Sequence, residues 1–312
     1  RERSTWTQEV RLLRDQLPAV GGSAVLGLFA RHLQEDAEAT GYLFGGDAAD
    51  LVSGFDISET ALYGQHQRTL AENLQFTATL RADHNETSYS GRTNGGAESV
   101  RFRTGEWLTG GRMGVTLALG ENRAAFATLS RGYRAGGINQ HPRLEAANRP
   151  YDPEYVLNTE AGFRWAGARS RVSITAFHGR RSSQQVELST QQDAGDPNSF
   201  VYFTNNAGTG WNAGVEIDGN YNLHSAVGIS GSLGYLQTQV DEYTFATGEG
   251  TALTLGDRDA VHAPSYNLRF GVRTMSHRGP QAALEFTAMD GFFFSDSHSQ
   301  RAAGYHLWNG SI

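Results

Sequence analysis

This sequence predicts an all-β chain, a segment of an antiparallel transmembrane β-barrel. Three observations carry the prediction. Apolar residues alternate with period two, the face between them is polar enough to line water, and short turns alternate with long loops along the whole chain.

Thirteen strands are expected, near residues 5–14, 23–34, 54–68, 74–85, 107–119, 123–135, 154–166, 169–183, 200–221, 226–241, 263–274, 280–292 and 304–312. Four of them show the alternation openly. Leu74, Phe76, Ala78 and Leu80 stand against Gln75, Thr77, Thr79 and Arg81. Tyr155, Leu157, Thr159, Ala161, Phe163 and Trp165 stand against Val156, Asn158, Glu160, Gly162 and Arg164. Trp211, Ala213, Val215, Ile217 and Tyr221 alternate with Asn212, Gly214, Glu216, Asp218 and Asn220. Tyr266, Leu268, Phe270 and Val272 alternate with Asn267, Arg269, Gly271 and Arg273. A half-buried soluble sheet alternates too. Here the polar face is rich in Gly, Ser, Asn and paired charges, as a wet lumen is, and the apolar face often ends in a ring, at Trp165, Tyr221, Tyr235 and Tyr266. Such rings suit a membrane interface, where one edge stays wet while the body is buried.

The connections point the same way. Short turns are expected near 15–22, 69–73, 120–122, 167–168, 222–225 and 275–279, and long loops near 35–53, 86–106, 136–153, 184–199, 242–262 and 293–303. Tight periplasmic turns and long extracellular loops are the habit of outer-membrane barrels. Bacterial single-chain barrels use even strand numbers, so an odd count, with Arg1-Glu2-Arg3 already inside the pattern, leads to the expectation that the barrel continues beyond this segment. An open barrel would leave bare strand edges in lipid.

Composition narrows the function classes. The 312 residues include 38 glycines, 7 prolines and no cysteine, so disulfide and thiolate-metal frameworks are excluded. All 26 basic residues are arginine, and a net charge of -7 without a basic run argues against nucleic acid as a partner. No run of 18 apolar residues exists, which leaves strands as the only route across a membrane.

Several stretches resemble the barrels of TonB-dependent receptors. They are Thr7-Gln8-Glu9-Val10-Arg11-Leu12, Ser130-Arg131-Gly132-Tyr133-Arg134-Ala135-Gly136-Gly137-Ile138-Asn139, and Tyr151-Asp152-Pro153-Glu154 followed by Asn158-Thr159-Glu160-Ala161-Gly162. Asn205-Asn206-Ala207-Gly208, Gly214-Val215-Glu216-Ile217 and Ala263-Pro264 continue the series in family order, over roughly residues 5 to 310. The iron-siderophore-receptor-like subgroup fits best. The resemblance implies that residues 1–312 are a partial barrel, about thirteen strands of twenty-two, with the plug domain, TonB box and closing strand outside it. It implies a Gram-negative outer-membrane location and TonB-driven uptake of a scarce ligand, a ferric siderophore first. Its partners would be TonB, outer-membrane lipid or lipopolysaccharide, and the chelate, with no cofactor and no catalysis. Importers of cobalamin or carbohydrate, and a passive porin with an acidic constriction loop, are the alternatives.

Candidate ligand contacts are Arg131, Tyr133, Arg134 and Asn139, on the extracellular rim where an anionic chelate arrives. Rim packing and loop anchoring compete with that role. Glycines 132, 136 and 137 are expected to permit tight backbone geometry, and Glu160, Arg164 and Glu216 to face the lumen. Phe292, Phe293 and Phe294 could stack on an aromatic ligand or form part of an interfacial belt. Asp83 with His84 forms part of a solvated loop or half of a hydrolytic triad that nothing completes, and Asp193, Asp196 and Asn198 carry the oxygen ligands of a calcium loop or form a polar turn. The ten histidines show no zinc pattern, so no metal site is expected.

Overall fold

The thirteen strands form one antiparallel sheet whose spatial order follows the chain. They are β1 (Glu2–Arg14), β2 (Ser23–Ala39), β3 (Leu51–Ala71), β4 (Leu74–Thr93), β5 (Glu98–Ala118), β6 (Arg123–Arg134) and β7 (Glu154–Ala166). Then come β8 (Ser170–Ser182), β9 (Thr209–His224), β10 (Val227–Val240), β11 (Tyr266–Thr274), β12 (Ala283–Met289) and β13 (Tyr305–Ser311). This computed structural model describes residues 1–312 apart from 40–41, 44–46, 49, 94–97, 142–143, 145–147, 192–194, 196–199, 247–251, 275–278 and 297. The calcium-loop residues Asp193, Asp196 and Asn198 lie outside the described residues.

Register fixes which residues share a face, because side chains on a strand alternate and paired residues point the same way. One row crosses five strands through Leu12, Leu26, Gly64, Leu80 and Gly111. Its leucines are 69%, 55% and 72% exposed, an arrangement stable only where the solvent is hydrocarbon. The opposite face carries Arg11, Gly27, Tyr63, Arg81 and Gly110 in the adjacent row. Outward apolar and inward polar residues thus alternate as expected.

Strands β2 to β5 are 17, 21, 20 and 21 residues long, about twice what a bilayer needs. The loop expected at 86–106 is mostly ladder. Its pairing runs unbroken through Glu86↔Gly105, Ser88↔Arg103, Ser90↔Arg101 and Thr93↔Glu98. The outward rows explain the difference. They read Val10, Leu28, Leu62 and Ala82, then Trp6, His32, Ser58 and Glu86, then Ser4, Gln34, Asp56, Ser88 and Arg103. Above the bilayer the outward face meets water, so apolar alternation stops while backbone pairing continues.

The expected strand at 200–221 is two elements. Phe200–Asn206 turns back on Gln185–Gln191 as a separate two-stranded ribbon, and the wall strand β9 starts at Thr209. Smaller ribbons pair Gly137–Ile138 with Pro150–Tyr151, Tyr243–Ala246 with Ala252–Leu255, and Phe292–Phe293 with Arg301–Ala302. The buried apolar cluster sits among these loops. Leu144, Val186, Leu188, Val201, Phe203, Ala207, Val240 and Tyr243 pack together, with Leu188 wholly buried. Leu33, Ala61, Tyr89 and Leu108 are also buried, on the wall strands β2 to β5.

Candidate ligand-binding mouth

Inside the barrel wall, an ionic ladder climbs from β1 to β6. Glu9 takes a salt bridge from Arg11 at 2.5 Å and a hydrogen bond from the Tyr63 hydroxyl at 2.5 Å. Arg81 lies over the Phe29 and Tyr63 rings, at 5.2 and 5.9 Å from their centroids. It pairs with Glu59 at 3.2 Å, which also holds Arg31 at 2.8 Å. Arg81 grips Asp83 through both carboxylate oxygens, at 2.6 and 2.9 Å, and the Tyr133 hydroxyl donates to the same carboxylate. Asp83 is 2% exposed, so its charge is stable only with these partners. His84, next along β4, turns to the opposite face and packs at 4.8 Å on Trp107. Asp83 and His84 are therefore not an acid–base pair.

Tyr133 therefore hangs from the ladder. Its ring lies against Gly110, where an added Cβ would sit 2.8 Å away. Arg131 reaches Thr109 instead, donating to its hydroxyl at 2.7 Å and to its carbonyl, and lies 4.2 Å from the Tyr155 ring centroid. Arg131 pairs in register with Gly111 and Leu157, members of the outward apolar rows. Arg134, at the top of β6, is exposed and pairs in register with Glu154. Asn139 spends both ends of its amide on backbone. Its Nδ2 donates to the carbonyls of Thr204 at 2.7 Å and of Asn148 and Arg149 at 3.1 Å, and its Oδ1 accepts from the Thr204 N–H at 2.8 Å. The four residues thus occupy one rim but not one pocket. Asn139 staples the 185–206 ribbon to the loop after β6, Arg131 faces outward at the last rung of the β5–β6 ladder, Tyr133 lies beyond that rung, leaves the alternation and is tied inward, and Arg134 is exposed at the mouth.

The glycine segment between them is shaped by close approach. The Gly136 N–H donates to Glu106 at 3.0 Å. A Cβ on Gly136 would lie 2.5 Å from the Tyr151 carbonyl, and one on Gly137 would lie 2.4 Å from the Tyr151 hydroxyl. Burial holds the Tyr151 phenol above its ordinary pKa.

A second knot ties three further loops, and sequence reasoning missed it. The Arg258 guanidinium donates to the carbonyls of Ser295 at 2.6 Å, of His298 at 2.8 Å and of Asp296. It lies 4.8 Å from the Phe293 centroid, and Arg301 lies 4.6 Å from the same ring. Phe293 is thus a platform for two arginines, while Phe292 packs on His262 at 5.6 Å and on Phe294 at 5.7 Å. The Asp296 carboxylate accepts from the Glu187 N–H at 3.2 Å, and Ser189 meets His298 at 3.3 Å. Burial pushes the Asp296 carboxyl above the usual range, against the pull of the Glu187 N–H and Arg258. Burial, helped by Asp296, pushes the Tyr243 phenol up to about 12. Signals existed in the apolar alternation Val186, Leu188 and Val201, Phe203, but seven-residue strands between polar flanks are easily absorbed into neighbours.

Lower in the lumen, Glu160 accepts hydrogen bonds from Asn158 at 2.8 Å and Thr128 at 3.3 Å, with Arg112 at 3.9 Å. Arg164 lies 4.5 Å from the Phe126 centroid. A groove of about 680 Å³ opens nearer the short turns, lined by Arg164, Ser173, Asp218, Ser232, Arg269 and Glu285 among others.

A hydrated lumen, an apolar outer face and folded extracellular loops are the parts of a receptor barrel, and the family model for the TonB-dependent receptor-like β-barrel matches residues 2–312. This chain belongs to that family. The TonB-dependent receptor barrel is an outer-membrane structure, and its family consists of transport receptors. Solved structures share the fold. The ferric yersiniabactin uptake receptor of Yersinia pestis superposes with a TM-score of 0.76 at 15% identity, over 99% of this chain and 46% of that one. The siderophore receptor PiuA of Acinetobacter baumannii gives 0.71 at 11% identity, over 99% and 49%. The ferric citrate transporter FecA gives 0.65 at 16% identity, over 99% and 46%. The chain spans about half the length of these structures.

Proposed function

We propose that this chain is the partial wall of a receptor that takes up a ferric siderophore, in a transport step energised through TonB. The observation that carries the reading is the built mouth. Loops that a passive pore could leave loose are cross-tied by Asn139, Arg258 and the Leu188 cluster, and Arg134 stands exposed beside them. A rigid entrance with an exposed guanidinium suits an anionic chelate, because arginine offers planar paired donors to carboxylate and catecholate oxygens. In this reading Arg134 contacts the ligand, and Tyr133 and Asn139 hold the rim in place. Arg131 supports the rim through Thr109 and Tyr155.

The test is uptake by cells in which the full-length gene is the sole outer-membrane route, across a panel of radiolabelled ferric siderophores. One ligand is expected to support uptake that collapses when TonB is deleted or the proton gradient is discharged. Arg134→Gln is expected to weaken its binding about tenfold, the loss of roughly one charge-assisted contact. Uptake that is unsaturable and indifferent to TonB would overturn the reading in favour of a passive channel. Saturable TonB-dependent uptake of cobalamin or a sugar alone would replace the ligand and keep the transporter.

A further inference from the structure

We infer that the outward face of β2 to β5, above the bilayer, is an interface on which a second copy of this receptor docks about a two-fold axis along the membrane normal. The inference rests on the outer-membrane location and not on which ligand the receptor imports.

These four strands rise past the bilayer with their register unbroken, so every rung keeps its face. Inward positions there, such as Leu51, Ser53, Thr87 and Tyr89, are buried. Outward positions are exposed, and their charge is divided. Asp36, Glu38 and Asp56 stand on β2 and β3, while Arg92, Arg101 and Arg103 stand on β4 and β5. Glu86 is the exception in the basic half, where it meets Arg103 at 3.8 Å. Asp56 meets His32 at 3.6 Å with both side chains about half exposed, and Arg92 and Arg101 make no ion pair among the described residues. A groove of about 540 Å³ lies between the halves, lined by Asp36, Gly54, Asp56, Ser90, Arg101 and Arg103 among others. On β2 it touches Gln34 and Asp36 but not Glu35 between them, so it opens on the outward side.

Two copies in one membrane point their mouths the same way, so a two-fold axis relating them runs along the membrane normal. An axis in front of the seam between β3 and β4 sets β4 and β5 of each copy against β2 and β3 of the other. Opposite charges then meet on both halves. A partner of single sign would meet its own sign on one half, so a second copy fits this face better than a polyanion or a polycation does. The heights agree as well. Trp6 and Trp107 are 56% and 68% exposed and mark the outer interface, yet Trp107 lies one rung below the row through Trp6, Ser58 and Gly105. Register rows thus rise toward β5, which brings Arg103 and Arg101 level with Asp36 and Glu38. The long arginine side chains span the gap that two convex walls leave at their flanks, and Gly54 and Ser90 let the walls approach at the seam. Exposed ion pairs contribute little each, so the association is weak, sensitive to salt and favoured by confinement in the membrane.

The experiment uses the full-length receptor in intact outer membranes. Residues 1–312 contain no cysteine, so a single introduced thiol can be followed with a short thiol-to-thiol crosslinker. Ser90→Cys, on the seam, is expected to trap a two-copy species that diminishes at high salt, whereas Gln237→Cys, exposed on the outward face of β10, is expected to trap none. In the Ser90→Cys background, Arg101→Glu with Arg103→Glu is expected to lower the trapped fraction at least about tenfold, and Asp36→Arg with Glu38→Arg to do the same. Each reversed receptor is first shown to keep its heat-modifiable barrel. Expressing the two together, with tags of different size, is expected to restore a mixed pair, because an all-acidic face then meets an all-basic one. No trapped pair at Ser90, equal trapping at both cysteines, or trapping indifferent to charge reversal would overturn the inference. A mixture that fails to restore the pair, or a different protein trapped at Ser90 in place of a second copy, would overturn it too.

Discussion

Asp83 is the most deeply buried member of the ionic ladder. Its carboxylate satisfies two donors of Arg81 and the Tyr133 hydroxyl, and it is almost wholly enclosed. Asp83→Ala strands those donors, so we expect a loss of about 1–3 kcal/mol, read as a lower urea midpoint of the receptor folded into vesicles. Tyr133→Phe removes one hydroxyl contact and should cost about 1 kcal/mol in the same assay. If Asp83→Ala leaves the midpoint unchanged, the ladder is a surface array and not a support for the rim. Gly136 makes a sharper case, since any side chain there meets the Tyr151 carbonyl. Gly136→Ala should loosen the loop after β6 and expose it to protease on whole cells, leaving the heat-modifiable barrel intact. The sequence singled out both regions, yet it read Asp83 and His84 as a solvated loop or half of a triad, whereas Asp83 is buried within β4 and His84 faces the other way. Adjacent strand residues face opposite ways, so chain neighbours are the pairs least able to act together.

At the scale of elements, the reading of the wall from sequence succeeded where lipid imposed a pattern and failed where it did not. Leu74 to Leu80 and Tyr155 to Trp165 announce their strands, because hydrocarbon demands an apolar residue at every second place. Nothing demands it above the bilayer, so the tops of β2 to β5 read as loop, and the 185–206 ribbon was split and half merged into β9. That ribbon matters to the mouth. Leu188→Ala should destabilise the loop cluster locally by about 2–5 kcal/mol, appearing as faster amide exchange across 185–206 with the wall protected as before. Asp296 makes the clasp beside it sensitive to pH. Its carboxyl titrates higher in the closed loops than in open ones, so closing favours the protonated form. That contribution is complete below the ordinary aspartate pKa and is lost as pH rises through the closed-state value. The Glu187 amide should therefore exchange more slowly, after correction for intrinsic rates, in mild acid than at neutral pH. Asp296→Asn should flatten that dependence, and an unchanged slope in the variant would remove Asp296 as its source.

For the whole molecule, one rule organises every strand within the bilayer: the outward face is solvated by lipid and the inward face by water. The rule makes a prediction that separates neighbours on adjoining strands. Val215 lies in an outward row with Ala161, Ala176 and Tyr235, whereas Thr175 lies in the inward row with Gly162 and Glu216. Val215→Arg places a charge near the bilayer centre and should cost about 2–4 kcal/mol of folding free energy in vesicles. Thr175→Arg adds the same side chain beside a carboxylate in a wet lumen and should cost less than about 1 kcal/mol. Two substitutions of equal size and charge, on paired strands and one register row apart, then differ only in the solvent they meet. Equal costs for the two would mean that this sheet is not the wall of a membrane barrel, and the receptor reading would fall with it.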